Sequence, residues 1–218
     1  MQLDQNNLFP VMGEWLNPNN SVLLDFSNQN ADLLKLDLQS TPLFNEYVFG
    51  YLKKNEKKYG YGGYLENRTI YQRSTHFQQG ESRCMHLGVD VWCEAFHPLY
   101  APLDSKIHSF AHNNNFGDYG PTIILEHELN GQKFYTLYGH LSLKSLKNIK
   151  EGNLIKKGQK FSELGPYPEN GDWPPHLHFQ LITDMKNKIG DFPGVCAPSE
   201  LEYYKNLCPN PNGFILKE

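Results

Sequence analysis

The clearest pattern of hydrophobic and polar positions in the chain is the segment 174–182, with the sequence Pro-Pro-His-Leu-His-Phe-Gln-Leu-Ile. Its apolar residues alternate with His176, His178 and Gln180. Successive side chains of a strand point to opposite faces of a sheet. The pattern therefore predicts a strand with one core face and one polar face that presents two imidazoles.

From about residue 68 onward, short apolar runs are separated by turn residues, which predicts a mostly antiparallel sheet. Asn130-Gly131 lies between the runs 121–128 and 133–141 and indicates a type I′ hairpin. A second hairpin is predicted between 100–102 and 106–111. Alternation in the run 133–141 places His140 on the same face as Tyr138, presented by the strand itself.

The N-terminal third has a different character. Residues 1 to about 40 are Asn-rich and irregular apart from a strand-like run at 21–26. Thr41 followed by Pro42 resembles an N-cap with proline at the first helical position, and predicts a helix that continues through Leu52. The alternating Gly and Tyr residues of 59–64 predict a loop. A short helix is predicted near the other end of the chain, over 198–207.

Composition narrows the function. The chain has 218 residues, 39% hydrophobic and 20% charged, which is typical of a globular protein with a sizeable core. A net charge of -4 without a long Lys/Arg cluster gives no reason to expect nucleic acid as a partner. No segment is apolar over the length of a membrane span, and no feature specifies an oligomeric state.

The N-terminal residues give an expectation for the location of the protein, and the cysteine spacing gives one for its disulfides. Residues 1–7 are polar, without a basic region or a following apolar run, so no export signal is recognised and a cytoplasmic location is expected, or the cell envelope if a leader has been removed. The cysteines Cys84, Cys93, Cys196 and Cys208 show no Cys-x-x-Cys spacing. We expect free thiols, with a pairing of Cys196 and Cys208 conceivable only in an exported protein.

The candidate chemistry begins with His86 and Asp90, four residues apart. Together with His178 they offer two imidazoles and one carboxylate. Three such ligands leave one zinc position open for water, as a catalytic zinc requires. Zn2+ is therefore the expected cofactor, although copper or nickel can occupy the same ligands in vitro.

These residues also carry a resemblance to a known family. His86-Leu87-Gly88-Val89-Asp90, then Tyr138-Gly139-His140-Leu141-Ser142, then His176-Leu177-His178 resemble the signature of the M23 zinc metallopeptidases, the lysostaphin-like or LytM-like endopeptidases that cut peptide bridges in peptidoglycan. Segments 100–104, 119–127 and 149–165 resemble further motifs of that family. The resemblance covers roughly residues 83 to 185.

The resemblance implies a mainly β fold, with an antiparallel sheet core of the M23/LytM type that is similar to a duplicated hybrid motif. It implies zinc ligation by His86, Asp90 and His178, and non-ligating catalytic roles for His140 and His176. The alternative is that these two histidines only orient the ligands. Members often have a Tyr just before the first ligand, which is missing from 79–82; Tyr64, Tyr71 or Tyr138 replaces it, or transition-state stabilisation is weaker.

A second, weaker resemblance lies in the flanks of the core. Residues 62–71 and 190–195 resemble M23-like modules that are fused to class III aminotransferases and kinase-like domains in bacteria. Those fusions resemble cytoplasmic proteins. If the chain belongs with them, the cell-wall substrate of the wider family does not automatically apply to it.

The sequence thus predicts three parts: a small, partly helical N-terminal extension over 1–75, an M23-like core over 76–185, and a C-terminal tail over 186–218. The predicted function is that of a zinc metalloendopeptidase acting on peptidoglycan-type fragments or related short peptides. The alternatives are a non-catalytic M23-like binding or regulatory module, and a cytoplasmic zinc hydrolase of a small amide or ester.

Overall fold

The computed structural model describes residues 4–78 and 80–217, and these form a mainly β protein. The strands are β1 (Ser21–Leu23), β2 (Tyr59–Gly62), β3 (Met85–His86), β4 (Val89–Trp92), β5 (Pro98–Tyr100), β6 (Ser105–Asn113), β7 (Gly120–Leu129), β8 (Gln132–Gly139), β9 (Leu154–Ile155), β10 (Lys160–Glu163), β11 (His176–Ile182) and β12 (Val195–Cys196). The helices are α1 (Thr41–Lys54) and α2 (Leu201–Leu207). Short 3-10 turns span Gln5–Asn7, Leu33–Lys35, Ile70–Arg73, Thr75–Phe77, Leu143–Leu146, Pro198–Glu200 and Asn212–Phe214.

The main sheet has the strand order β1-β2-β4-β11-β8-β7-β6-β9. All of its pairings are antiparallel except β1 with β2, which is parallel. The prediction of a mainly β fold with an antiparallel core is confirmed. Strand β11 lies near the middle of the sheet, between β4 and β8, so both of its edges are hydrogen-bonded and its side chains are held on a rigid support.

The two faces of β11 separate as the alternation predicts. Leu177, Phe179 and Leu181 lie in the largest hydrophobic cluster, whereas His176 and His178 lie on the opposite face. Every residue of β11 is buried. The polar face is covered both by residues that precede β3, such as Tyr71, and by the C-terminal part of the chain, where Pro193 and Cys208 contact Gln180. The histidines therefore lie in a low-dielectric environment rather than on an open surface.

The predicted N-terminal helix is found as α1, with its start one residue earlier than the capping argument placed it. Ser40 is the N-cap residue, and it makes no capping hydrogen bond through its side chain. Thr41 instead donates from Oγ1 to the carbonyl oxygen of Asp172 at 3.0 Å, and accepts a hydrogen bond from Arg73 at 2.8 Å. The predicted cap residue therefore joins α1 to the core.

The Gly/Tyr-rich segment was predicted as a loop, and this prediction is wrong, because 59–62 form the strand β2 between β1 and β4. Glycine has a packing role here. A Cβ atom at Gly62 would collide with the guanidinium of Arg68 and would lie 2.9 Å from the ring of Trp92. The missing side chain lets β2 pack closely against these two buried groups.

One predicted hairpin is confirmed and the other is wrong. Asn130 and Gly131 have φ values of 52° and 74°, as a type I′ turn requires, and they join β7 to β8. Strand β5, however, pairs with β10 and not with β6. Its partner comes from about 60 residues further along the chain, beyond the reach of a local turn rule.

Near the C-terminal end, the short helix predicted over 198–207 is confirmed as a 3-10 turn that leads into α2. All four cysteines are unpaired. Among residues 4–78 and 80–217, no helix is long and apolar enough to cross a membrane. The interpretation of 1–7 as polar and without an export signal falls partly on residues 1–3, outside the described residues. The domain boundaries after 75 and after 185 stay predictions.

Candidate metal centre

His86, Asp90 and His178 converge because of strand register. Asp90 on β4 is the direct cross-strand partner of His178 on β11, so their side chains lie on one face. His86 ends β3, and the chain turns through Gly88 into β4. A Cβ atom at Gly88 would lie 2.6 Å from the carbonyl oxygen of Phe179 and 2.8 Å from the ring of His178. Glycine is required here for the close approach that brings His86 to the other two residues.

The three side chains offer one ligand atom each at matched separations. Nε2 of His86 lies 3.1 Å from Nδ1 of His178 and 3.3 Å from Oδ1 of Asp90. Nδ1 of His178 lies 3.0 Å from Oδ1 of Asp90. Zinc bonds of about 2.0–2.1 Å in a tetrahedron give ligand-to-ligand edges of roughly 3.3 Å. The triangle therefore fits one face of a tetrahedral zinc site, and the three residues can hold a metal ion.

Hydrogen bonds at the outer nitrogens select the tautomer of each imidazole. Nδ1 of His86 donates to the carbonyl oxygen of Gly63 at 3.0 Å. Nε2 of His178 donates to Oε1 of Gln180 at 3.0 Å, and the amide of Gln180 in turn donates to the carbonyl oxygen of Pro193. Each histidine thus keeps a lone pair on the nitrogen that faces the triangle, which is the form a metal ligand needs.

A buried arginine supports the carboxylate of the triad. Nη1 of Arg68 donates to Oδ2 of Asp90, and Nε of Arg68 bonds Glu66 at 2.7 Å. The Arg68 side chain is fully buried and lies near the rings of Phe26 and Trp92. Burial alone would raise the pKa of Asp90, but the neighbouring His86 and Arg68 outweigh that effect and hold this pKa well below its usual value. Asp90 is therefore a carboxylate at neutral pH.

His140 and His176 form a second pair beside the triad, with ring centroids 4.1 Å apart. Nδ1 of His140 donates to the carbonyl oxygen of Asn170, and Nδ1 of His176 donates to that of Pro174, each at 2.8 Å. Both rings are therefore fixed in position and keep Nε2 as the nitrogen with a lone pair. Their assignment as catalytic residues stays a prediction.

The expected presentation of His140 by a strand is wrong. Strand β8 ends at Gly139, and His140 follows it with φ of +61°, in the left-handed region. Continued alternation would have placed His140 with Tyr138, which lies in the hydrophobic core. The left-handed conformation instead brings the imidazole to the face that carries His176.

Burial controls the protonation of these histidines. It lowers the pKa of His86 and of His176 to about 4, and the pKa of His140 lies well below its usual value for the same reason. All three are neutral at pH 7. Neutral imidazoles can bind a metal ion or accept a proton, whereas imidazolium groups cannot.

A cavity of about 240 Å³ adjoins the site and is lined by Asp90, His140, His176 and His178 together with residues of the extension. Tyr71, one of the three tyrosines considered as replacements for the missing one, lines this cavity, and its hydroxyl lies 3.3 Å from Nη1 of Arg68.

The other two tyrosines have structural roles instead. The hydroxyl of Tyr138 receives a hydrogen bond from Thr136 within the core, and Tyr64 donates to the carbonyl oxygen of Cys208. Of the three candidates, Tyr71 alone therefore lies where it could replace the tyrosine that is missing before the first ligand.

Sequence reasoning missed several residues that shape the site, among them Arg68, Tyr119 and Trp173. Tyr119 places its hydroxyl 3.4 Å from Nε2 of His178, and Trp173 lines the cavity. Arg68 falls within the flank that carries the weaker resemblance, so its position in that stretch was a usable signal. Gln180 shares the polar face of β11 with the histidines, and that placement alone indicated a role beside His178.

The antiparallel sheet thus brings a His-Asp-His triad that can hold a metal ion next to two further histidines. Residues 84–189 match the model of peptidase family M23, which is slightly under half of the chain. The matched residues are those that carry the main resemblance seen in the sequence, so that resemblance is confirmed. A search of curated proteins found no match. The weaker resemblance to aminotransferase-fused modules stays a prediction.

Solved structures with a similar fold include a zinc-containing peptidase from Vibrio cholerae, with 23% identity and a TM-score of 0.37 over 55% of this chain and 31% of that one. The catalytic domain of lysostaphin from Staphylococcus simulans has 27% identity and a TM-score of 0.38 over 56% and 80%. A variant of the catalytic domain of EnpA from Enterococcus faecalis has 20% identity and a TM-score of 0.40 over 56% and 82%. The chain spans about a third of the length of the Vibrio protein.

Proposed function

We propose that this protein is a zinc-dependent peptidase that hydrolyses peptide bonds in peptidoglycan-type fragments or related short peptides. The observation that carries the proposal is the triangle of ligand atoms from His86, Asp90 and His178, whose sides of 3.0–3.3 Å match a tetrahedral zinc site. Two imidazoles and one carboxylate are a donor set that suits zinc and leaves room for water.

The chemistry that zinc supplies when bound is a water with its pKa lowered towards about 7 and a polarised substrate carbonyl. The residues of the chain would do the rest. His140 and His176 are anchored through Nδ1 and line the cavity, so one Nε2 can accept the proton of the attacking water while the other hydrogen-bonds to the carbonyl oxygen or protonates the leaving amine.

The site supports an enzyme better than a non-catalytic binding module. A module that only binds has no need of a complete ligand set or of two further neutral histidines next to it, and all five residues are retained here.

The test combines metal content with hydrolysis. Purified protein is analysed for zinc by elemental analysis and assayed on D-amino-acid-containing muropeptides and Gly-rich peptides, with and without a chelator. We expect about one zinc per chain and cleavage that the chelator abolishes. His112→Ala is the matched control, since His112 is exposed on β6 and should leave both readouts unchanged. Absence of bound metal would overturn the proposal.

A further inference from the structure

A segment that begins in the N-terminal extension and continues into the core bridges the two loops that flank the metal centre. The bridge is the segment 69–78, which contains two consecutive 3-10 turns. On one side, Oγ of Ser74 donates to the carbonyl oxygen of Phe116 at 2.8 Å, and a Cβ atom at Gly117 would lie 2.8 Å from Cβ of Ser74. The bridge is therefore in tight contact with the loop between β6 and β7.

On the other side the bridge contacts the loop that precedes β11. The guanidinium of Arg73 lies 4.5 Å from the ring centroid of Trp173, and Tyr71 packs edge-on against the same ring at 6.3 Å. Arg73 also bonds Thr41, which donates to the carbonyl oxygen of Asp172. A cation over an aromatic face, a hydrogen bond and ring packing together fix the bridge to this loop.

The bridge forms a wall of the cavity through Ile70, Tyr71 and Phe77. The two non-ligating histidines beside this cavity are almost completely buried, with His140 5% exposed and His176 3% exposed. The cavity of about 240 Å³ is smaller than the roughly 300–1,000 Å³ of typical small-molecule pockets. A peptide strand that continued beyond its scissile bond on this side of the cavity would meet the bridge.

The bridge narrows the site without filling the metal position. Within the described residues, the hydrogen bonds from the extension to the triad go to its outer atoms: Arg68 bonds Oδ2 of Asp90, and Gly63 accepts from Nδ1 of His86. The three atoms that face one another are left to the metal. The cavity beside them is open space next to His140 and His176, so a small substrate can reach the reacting centre.

Charged groups of both signs line this cavity, including Lys188 and Asp118. The interior of a polypeptide chain has a neutral backbone, whereas a short free peptide has an ammonium group at one end and a carboxylate at the other. A lysine can pair with the carboxylate, and an aspartate can pair with the ammonium group. The lining thus matches a short zwitterionic peptide better than a neutral strand.

On the basis of the proposed function, we infer that the substrates are short free peptides with a charged end inside the cavity, and that a strand crossing the site is excluded. The reaction is ordinary hydrolysis. The oxygen of one water bonds to the carbonyl carbon, the C–N bond breaks, and the two products are a carboxylate and an amine that carries the transferred proton.

The test uses one scissile bond in peptides of increasing length with the zinc-loaded wild-type protein. The set contains the free dipeptide to tetrapeptide, the same peptides with acetylated and amidated ends, a version extended by five residues on both sides, and intact peptidoglycan sacculi. We expect kcat/KM to fall at least tenfold when both ends of the peptide are capped or extended. We also expect no release of soluble peptides from sacculi. Equal or faster cleavage of the extended peptide or of sacculi would overturn the inference and leave the proposed peptidase function intact. No cleavage of any peptide by zinc-loaded protein would overturn both.

Two variants refine the result. Phe77→Ala removes part of the wall and should raise the ratio of kcat/KM for the extended peptide to that for the short one at least threefold. Phe96→Ala is its matched control, because Phe96 is 58% exposed and is not among the cavity residues.

Lys188→Gln should raise KM for a peptide with a free carboxylate and leave KM for its amide unchanged. An equal change for both peptides would contradict a role for Lys188 in binding the charged end.

Discussion

Arg68 donates a hydrogen bond to Oδ2 of Asp90, the oxygen that faces away from the other two ligand atoms. The same guanidinium bonds Glu66 and is fully buried, so the carboxylate is held from behind by a fixed cation. The contact orients Asp90 and withdraws part of its negative charge. A partner of this kind sets both the geometry and the electron density that a metal ion meets.

Arg68→Lys should therefore weaken zinc binding. Lysine has a single point charge and cannot bond Glu66 and Asp90 together as the planar guanidinium does. Loss of such an outer partner typically costs about 10–100-fold in metal affinity, and we expect a loss in that range, measured by competition with a chromogenic chelator. Arg73→Lys is the matched control, since Arg73 is also buried but contacts Trp173 and Thr41 instead of the triad. Wild-type zinc affinity in Arg68→Lys would contradict the assigned role.

Metal analysis of single variants should distinguish the proposed zinc ligands from the two proposed catalytic histidines. His178→Ala and Asp90→Ala each remove one corner of the ligand triangle, and we expect both proteins to lose zinc. His140→Ala and His176→Ala leave the triangle complete, so these proteins should keep about one zinc and lose roughly 10²–10⁴-fold in turnover, the usual worth of a positioned acid or base. Stoichiometric zinc in His178→Ala would refute this division of roles.

Much of the triad could be predicted because it depends on local rules. The alternation along β11 fixes which side chains share a face with His178, and an antiparallel partner strand then supplies Asp90 directly opposite. These local rules fail for His140. Its φ of +61° is costly for a residue with a side chain and is held by contacts with distant groups, such as the carbonyl oxygen of Asn170. Alternation alone placed it on the wrong face.

The wall of the cavity could not be predicted from the sequence for a related reason. It depends on the contacts of Arg73 and Tyr71 with Trp173, which lies about 100 residues further along the chain. The spacing of hydrophobic and polar residues does not predict contacts over such a distance. The pairing of β5 with β10 is another case. A short connection favours a hairpin with β6, but long-range packing decides the partner of an edge segment.

Two glycine substitutions should have opposite effects on stability. Gly88→Ala places a Cβ atom 2.6 Å from the carbonyl oxygen of Phe179, so the turn has to move and His86 with it. Gly50 lies on the exposed side of α1, where an added Cβ atom would meet nothing within 4 Å, and Gly50→Ala should stabilise by about 0.5–1 kcal/mol through helix propensity. Chemical denaturation checks both. A Gly88→Ala protein with wild-type stability and zinc affinity would show that the close approach is not needed.

Acid should destabilise the protein partly through His127. This residue is 1% exposed on β7, where its Nε2 lies 2.7 Å from Oγ1 of Thr136, and burial lowers its pKa to about 4. In the unfolded chain the pKa is about 6.5. Below that pH the unfolded state binds a proton at His127 and the folded state does not. The contribution of His127 to stability is therefore complete above about pH 6.5 and is lost as the pH falls towards 4. Between pH 7.5 and pH 5, the expected loss from this one group is about 2 kcal/mol.

His127→Gln should remove that loss, so its free energy of unfolding should fall less than that of the wild type over the same pH interval, whatever its stability at pH 7.5. Urea denaturation of the metal-free proteins at the two pH values measures the difference and avoids the pH dependence of zinc binding. His112→Gln serves as the control, because His112 is exposed and its replacement leaves the burial of His127 untouched. Since His86, His140 and His176 are also buried and neutral, the variant should keep part of the acid sensitivity. An unchanged pH dependence in His127→Gln would mean that the imidazole gains solvent or a partner when it is protonated, and would assign the acid sensitivity to the histidines of the site.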